Sequence, residues 1–220
     1  MIRGLFLLIV LLGSLNPLVA SSKPFVELDI LIVLASKNMT DEEYNYAIDA
    51  VRSLENNVFL YSEGMATTNV DLVFHDGDIP YGLSDKGNLF PDDIRIAVDF
   101  GGADYDYAGV IVSPSMAPIY QSEGIRGMAN VAGTDTFWVA SMRRVEYVIL
   151  HELAHVIEAD KVEAGYTNFP ECGENTQAGG GVHCAIAYGY PGASSEAWLD
   201  DYYSGDLHDG TGLTEEGWKT

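Results

Sequence analysis

Residues 145–157 read Val-Glu-Tyr-Val-Ile-Leu-His-Glu-Leu-Ala-His-Val-Ile. Apolar side chains at Val145, Val148, Ile149, Leu153, Val156 and Ile157 recur at helical spacing, so the segment reads as a helix with an apolar stripe. His151 and His155 stand four apart and therefore share one face, one turn above each other. Two imidazoles in that relation can offer nitrogens to one ion at about 2.0–2.1 Å. Glu152 starts beside the first of them and can serve as general base toward a metal-activated water. Burying two histidines and a glutamate in an apolar helix is costly unless they are paired or metal-bound.

In this setting the pentapeptide His151-Glu152-Leu153-Ala154-His155 resembles the active-site helix of the zincin metallopeptidases. The resemblance implies Zn2+ as cofactor, a peptide or protein as substrate, and hydrolysis of a peptide carbonyl by water that Glu152 deprotonates. The expected fold is α+β and zincin-like. It has a twisted mixed sheet, a backing helix, the active-site helix and a small C-terminal helical subdomain.

Met1-Ile2-Arg3 is a short basic start, Gly4 to Leu12 is almost unbroken apolar sequence, and the small residues Ala20, Ser21 and Ser22 follow. This pattern predicts a secretory signal over 1–22 with cleavage near 20–22. The alternative, an uncleaved anchor, meets the interruption at Asn16-Pro17 and a run shorter than the roughly 20 residues a span needs. The predicted location is extracellular, with no stable membrane association after cleavage. Residues 23–220 suffice for one domain, with an upper part over about 23–165 and a lower part over about 166–220. The formal net charge is −22, with Lys+Arg 11 against Asp+Glu 33, which disfavours nucleic acid and anionic membranes as partners. A solvated acidic surface explains it more simply than a cationic substrate or calcium. Cys172 and Cys184 are the two cysteines. In an exported chain they predict a disulfide, the alternative being a second metal site with His183.

Phe25 to Ala35 reads as a buried strand. Thr40-Asp41-Glu42-Glu43 starts a helix whose apolar positions are Tyr44, Ala47, Ile48 and Val51. Strands are expected at Val70–Phe74 and Tyr107–Ser113, and a hairpin over Gly127–Gly133 and Thr136–Ala140. Around 91–98 two readings compete: a short helix opened by Pro91-Asp92-Asp93, or a strand alternating through Ile94 to Val98. The metal helix is expected over about 143–164, ending at Gly165. This order resembles the upper subdomain of zincins. The stretch 127–133 is similar to the edge region on which such enzymes hold substrate as an added strand.

A catalytic zinc takes three protein ligands, so one lies outside the pentapeptide. Where the metzincin pattern has Gly and His, this chain has Glu158 and Lys161. Glu158 shares the histidine face but sits seven residues after His151, about 10.5 Å along the axis, too far to close on one ion without strain. Cys184-Ala185-Ile186-Ala187-Tyr188-Gly189 resembles the Met-turn with Ile186 in place of Met. The gluzincin pattern fits 192–203 better and implies Glu196 as third ligand, with Asp200 accepting the free N–H of His151. Ser194 or Ser195 would cap that helix. His183, Glu171, Glu174 and Glu163 stay open as alternatives for the ligand. Tyr188, Tyr202, Tyr203 and His208 are candidates for stabilising an oxyanion. The rivals to an enzyme are a metal-binding zincin-fold module without turnover and a metal-free secreted structural domain.

Overall fold

The computed structural model describes residues 24–84, 86–130, 135–171, 181–187, 196–208 and 210–220; of 130, 185–187, 196 and 197 it describes the backbone alone. The expected signal segment lies outside the described residues, and no described helix is long and apolar enough to cross a membrane.

The elements run β1 (Val26–Ala35), α1 (Asp41–Tyr61), β2 (Ala66–His75), β3 (Tyr81–Leu83), β4 (Leu89–Pro91), α2 (Asp93–Asp99), β5 (Tyr107–Val112), α3 (Pro118–Glu123), β6 (Gly127–Asn130), β7 (Thr136–Ala140), α4 (Val145–Glu163), α5 (Gly181–Ala187), α6 (Glu196–Ser204) and α7 (Glu215–Lys219). Five strands form one sheet in the order β2-β1-β5-β7-β6. The β1–β2, β1–β5 and β5–β7 ladders are parallel, and β6 closes the edge antiparallel to β7. A mixed sheet with helices on both faces is the α+β architecture expected from the sequence.

The near-continuous apolar run of β1 follows from this position, because a parallel central strand is covered on both faces. Strand alternation divides it cleanly. Leu28, Ile30, Ile32 and Leu34 face the core shared with α1 and α4, while Leu31, Val33 and Ala35 face the layer containing Ile96 and Ile119. In β7 the same rule sends Phe137 and Val139 toward α4 and Trp138 and Ala140 to the opposite layer. Gly109 in β5 makes room for this packing, since a Cβ there would lie 2.4 Å from Phe137 Cζ.

Helix α1 begins at a complete capping box. Thr40 Oγ1 accepts from the Glu43 N–H at 3.2 Å, and Glu43 Oε2 accepts from the Thr40 N–H at 2.8 Å, which satisfies two amides the first turn would leave unpaired. Its buried stripe is Ala47, Ala50, Val51, Leu54 and Val58. Residues 93–99 form α2, so of the two readings of this stretch the helix holds. The side chain of Asp92 accepts from the Arg95 N–H at 3.1 Å and caps it. The alternation through Ile94–Val98 loses to that cap and leaves Val98 exposed. After α4, the aromatic residues Trp198, Tyr202, Tyr203 and Trp218 are buried in the same core as α1 and α4.

Candidate metal centre

Helix α4 is the hub of the site. It starts at Arg144, whose backbone is left-handed at φ 69°, and is buried along most of its length. Leu153, Val156 and Ile157 are fully buried in the core, and this fixes the rotation of the helix about its axis. His151 and His155 then project on one face, as their spacing requires. Their Nε2 atoms lie 3.2 Å apart. Two nitrogens bound to one tetrahedral ion at 2.0–2.1 Å would sit about 3.3 Å apart. His183, from α5, is the third member: one ligand atom from each of the three histidines lies within 4.8 Å of the others. The ring centroids of His155 and His183 are 4.6 Å apart, and those of His151 and His183 5.5 Å.

The electrostatics suit a cation. Burial, reinforced by the neighbouring His155 and His183, holds His151 well below the ordinary imidazole range, and burial lowers His183 as well. Neutral imidazoles keep the lone pairs that a metal needs. His151 and His155 therefore fit a zinc ion in donor type and spacing, and His183 stands near enough to offer a third nitrogen.

Glu152 is 6% exposed and packs beneath the edge strand β6. A Cβ on Gly127 would lie 2.8 Å from Glu152 Oε1 and 3.0 Å from the Trp138 carbonyl oxygen, so glycine is what lets β6 lie this close. Burial pushes the Glu152 carboxyl up to about 8, against the opposing pull of a hydrogen bond with the Ala129 backbone. A cleft of ≈ 590 Å³ opens here, lined by Arg126, Gly127 and Met128 from the β6 side, by Tyr147, His151 and Glu152 from α4, and by His183. The Trp198 indole N–H donates to the Tyr147 hydroxyl at 2.9 Å, behind the cleft.

The expected site residues are placed as follows. His151 and Glu152 line the cleft from α4, and His155 lies one turn further along the helix beside His151. The residue gathered with the two histidines is His183, one of the alternatives in the sequence, whereas the side chain of the favoured Glu196 lies outside the described residues. Asp200 does not take the role expected of it. It is exposed on α6, and His151 Nδ1 is buried without a hydrogen-bond partner among the described residues. Cys184 is fully buried on α5, and Cys172 lies outside the described residues, as do Glu174 and Tyr188. Tyr203 donates to the Leu150 carbonyl oxygen at 3.0 Å and Tyr202 to Glu158. Both hydroxyls are thus buried in the core rather than presented to the cleft.

Two features escaped the sequence reading. Glu158 is buried at 2% exposure and bonds the start of α5; no spacing rule links it to a segment 23 residues on. The close approach of Gly127 was hidden because a strand glycine has many readings. A glycine in a strand does mark places where another group comes near, and that was the available signal.

No protein-family model matches the chain, and no curated protein matches it in sequence. Among solved structures the chain is similar to the archaemetzincin from Methanopyrus kandleri, at 14% sequence identity and a TM-score of 0.38, over 79% of this chain and 86% of that one.

Proposed function

We propose that this protein is a secreted zinc-dependent endopeptidase in which His151, His155 and His183 hold the metal and Glu152 is the general base. The convergence of three imidazoles near a buried glutamate, with His151, His183 and Glu152 lining an open cleft, is the observation that carries this reading. His183 thus replaces Glu196 as the proposed third ligand, on the geometry of α4 and α5.

Bound zinc supplies Lewis acidity toward a water and a carbonyl oxygen. The chain supplies the rest. An extended peptide lies along the free edge of β6, pairing with its backbone. Gly127 and Met128 then set its distance from α4. Glu152 takes the proton from the attacking water and passes it to the departing amine nitrogen. Its burial favours the protonated form, so it retains the proton between those two transfers. The basic start and apolar run before residue 22 support export, and a Cys172–Cys184 disulfide is proposed with it, as an oxidising compartment favours.

Elemental analysis of the purified protein tests the site. One zinc per chain in the wild type, retained in Glu196→Ala and lost in His183→Ala, is the expected result. Zinc lost in Glu196→Ala and retained in His183→Ala would return the third ligand to α6. A peptide pool should be cleaved by the wild type and left intact by Glu152→Gln with its zinc still bound. One zinc with no cleavage in any preparation would leave a metal-binding module instead of an enzyme.

A further inference from the structure

Glu158 stands three residues beyond His155 on α4, fully inside the core. Its Oε1 accepts from the Gly181 N–H at 2.7 Å and its Oε2 from the Val182 N–H at 3.0 Å. Tyr202, buried on α6, donates its hydroxyl to the same Oε2. Gly181 and Val182 are the first two residues of α5, and His183 is the third. One carboxylate therefore joins three helices immediately before the third histidine.

Several physical facts make this contact decisive for where His183 sits. A seven-residue helix has no stability of its own and takes its place from what it docks against. The first amides of a helix lack intrahelical partners, and a carboxylate is the strongest side-chain acceptor for them. Gly181 permits the approach: a Cβ there would stand 2.7 Å from Glu158 Oε2 and 3.0 Å from Oε1. Tyr202 holds the carboxylate from α6, a second anchor independent of α5.

We propose that Glu158 is a positioning residue for the metal centre: it docks the first turn of α5 on α4 and so sets His183 against His151 and His155, with Tyr202 bracing the carboxylate and Gly181 allowing its approach. This rests on the reading that the three histidines hold a metal. It also gives the residue at position 158 a use distinct from ligation, since the ligand atoms converge one turn earlier on the helix.

The test is a double-mutant cycle on metal affinity with Co2+ as probe, read by chelator competition and by the visible d–d spectrum. The four proteins are the wild type, Glu158→Gln, His183→Ala and the double variant, each confirmed folded by circular dichroism. Glu158→Gln is expected to weaken Co2+ binding about 10–100-fold, the range found when a group orienting a ligand is removed, and to change the spectrum. In the His183→Ala background the same substitution should have no further effect on affinity. A residue that merely holds the fold together would weaken both backgrounds equally, and that result overturns the proposal, as does an unchanged affinity and spectrum in Glu158→Gln. If Glu158→Gln does not fold, Tyr202→Phe, which removes only the bracing hydroxyl, takes its place in the cycle with the same expected pattern and the same refuting ones. Failure of the parent reading looks different: His183→Ala would bind Co2+ as the wild type does, or the wild type would bind none, and the positioning role falls with it.

Discussion

Asp93 offers a quantitative test of the packing around the sheet. It is 3% exposed at the start of α2, and Thr136 Oγ1 of β7 donates to its Oδ2 at 2.7 Å. Burial pushes its carboxyl from 3.8 up to about 6, in spite of the hydrogen bonds from Thr136 and nearby backbone. The folded state thus binds this proton more tightly than the unfolded chain does. The resulting stabilisation is complete below pH 3.8 and is lost as pH rises through about 6. The gap between 3.8 and about 6 corresponds to about 3 kcal/mol at neutral pH. Asp93→Asn keeps an acceptor for Thr136 and removes the titration. Its stability relative to wild type should therefore improve by about 2 kcal/mol between pH 4 and pH 8. Urea denaturation of both proteins at pH 4, 5, 6 and 8 measures this, and titrating groups that do not feel the Asp93 charge cancel in the difference; Asp92 and Glu152 do feel it. A difference that stays constant over this range, or that moves against the variant as pH rises, would refute the argument that burial dominates at this carboxyl.

Two further outcomes can be stated. Tyr147→Phe removes the acceptor of the buried Trp198 indole N–H and should lower stability by about 1–3 kcal/mol, read as a shift in the denaturant midpoint; an unchanged midpoint would mean the indole finds another partner. Gly127→Ala places a methyl 2.8 Å from Glu152 Oε1, which should displace that carboxyl. On the proposed reaction it should cut kcat about 10²-fold, and a kcat equal to wild type would show that Glu152 need not sit against β6.

Much of the frame was legible in the sequence. β1, β5, the β6–β7 hairpin and α4 were visible because an apolar period of 2 or 3.6 reports directly on which face is buried. The start of α1 was visible because Thr40 and Glu43 satisfy each other locally. Residues 91–98 carried two periods at once, and the cap at Asp92, a contact between neighbours, decided between them. Helix α5 has too few residues to show a period, so nothing local announced it. His183 gathers with His151 and His155 from a distant segment, and on the proposed docking its place depends on how Glu158, Gly181 and Tyr202 meet. Those residues are distant in the chain, and their meeting is settled by tertiary packing. Asp200 fitted a spacing pattern, but spacing within a helix does not say which way the helix is turned, and this one turns Asp200 to solvent.

The ladders of the sheet also bear on how the molecule is made. Ile30 pairs with Val70 on one side and with Tyr107 on the other, partners 40 and 77 positions away. Apart from the β6–β7 hairpin, no strand of the main sheet finds its neighbour nearby in the chain. Entropy of loop closure must be spent before such contacts form, and long-range parallel pairing of this kind makes folding intrinsically slow. The face of α4 that turns toward the sheet stays exposed until then. The histidine cluster should therefore be among the last parts of the molecule to acquire its final geometry during refolding, and metal added early would meet a site not yet built.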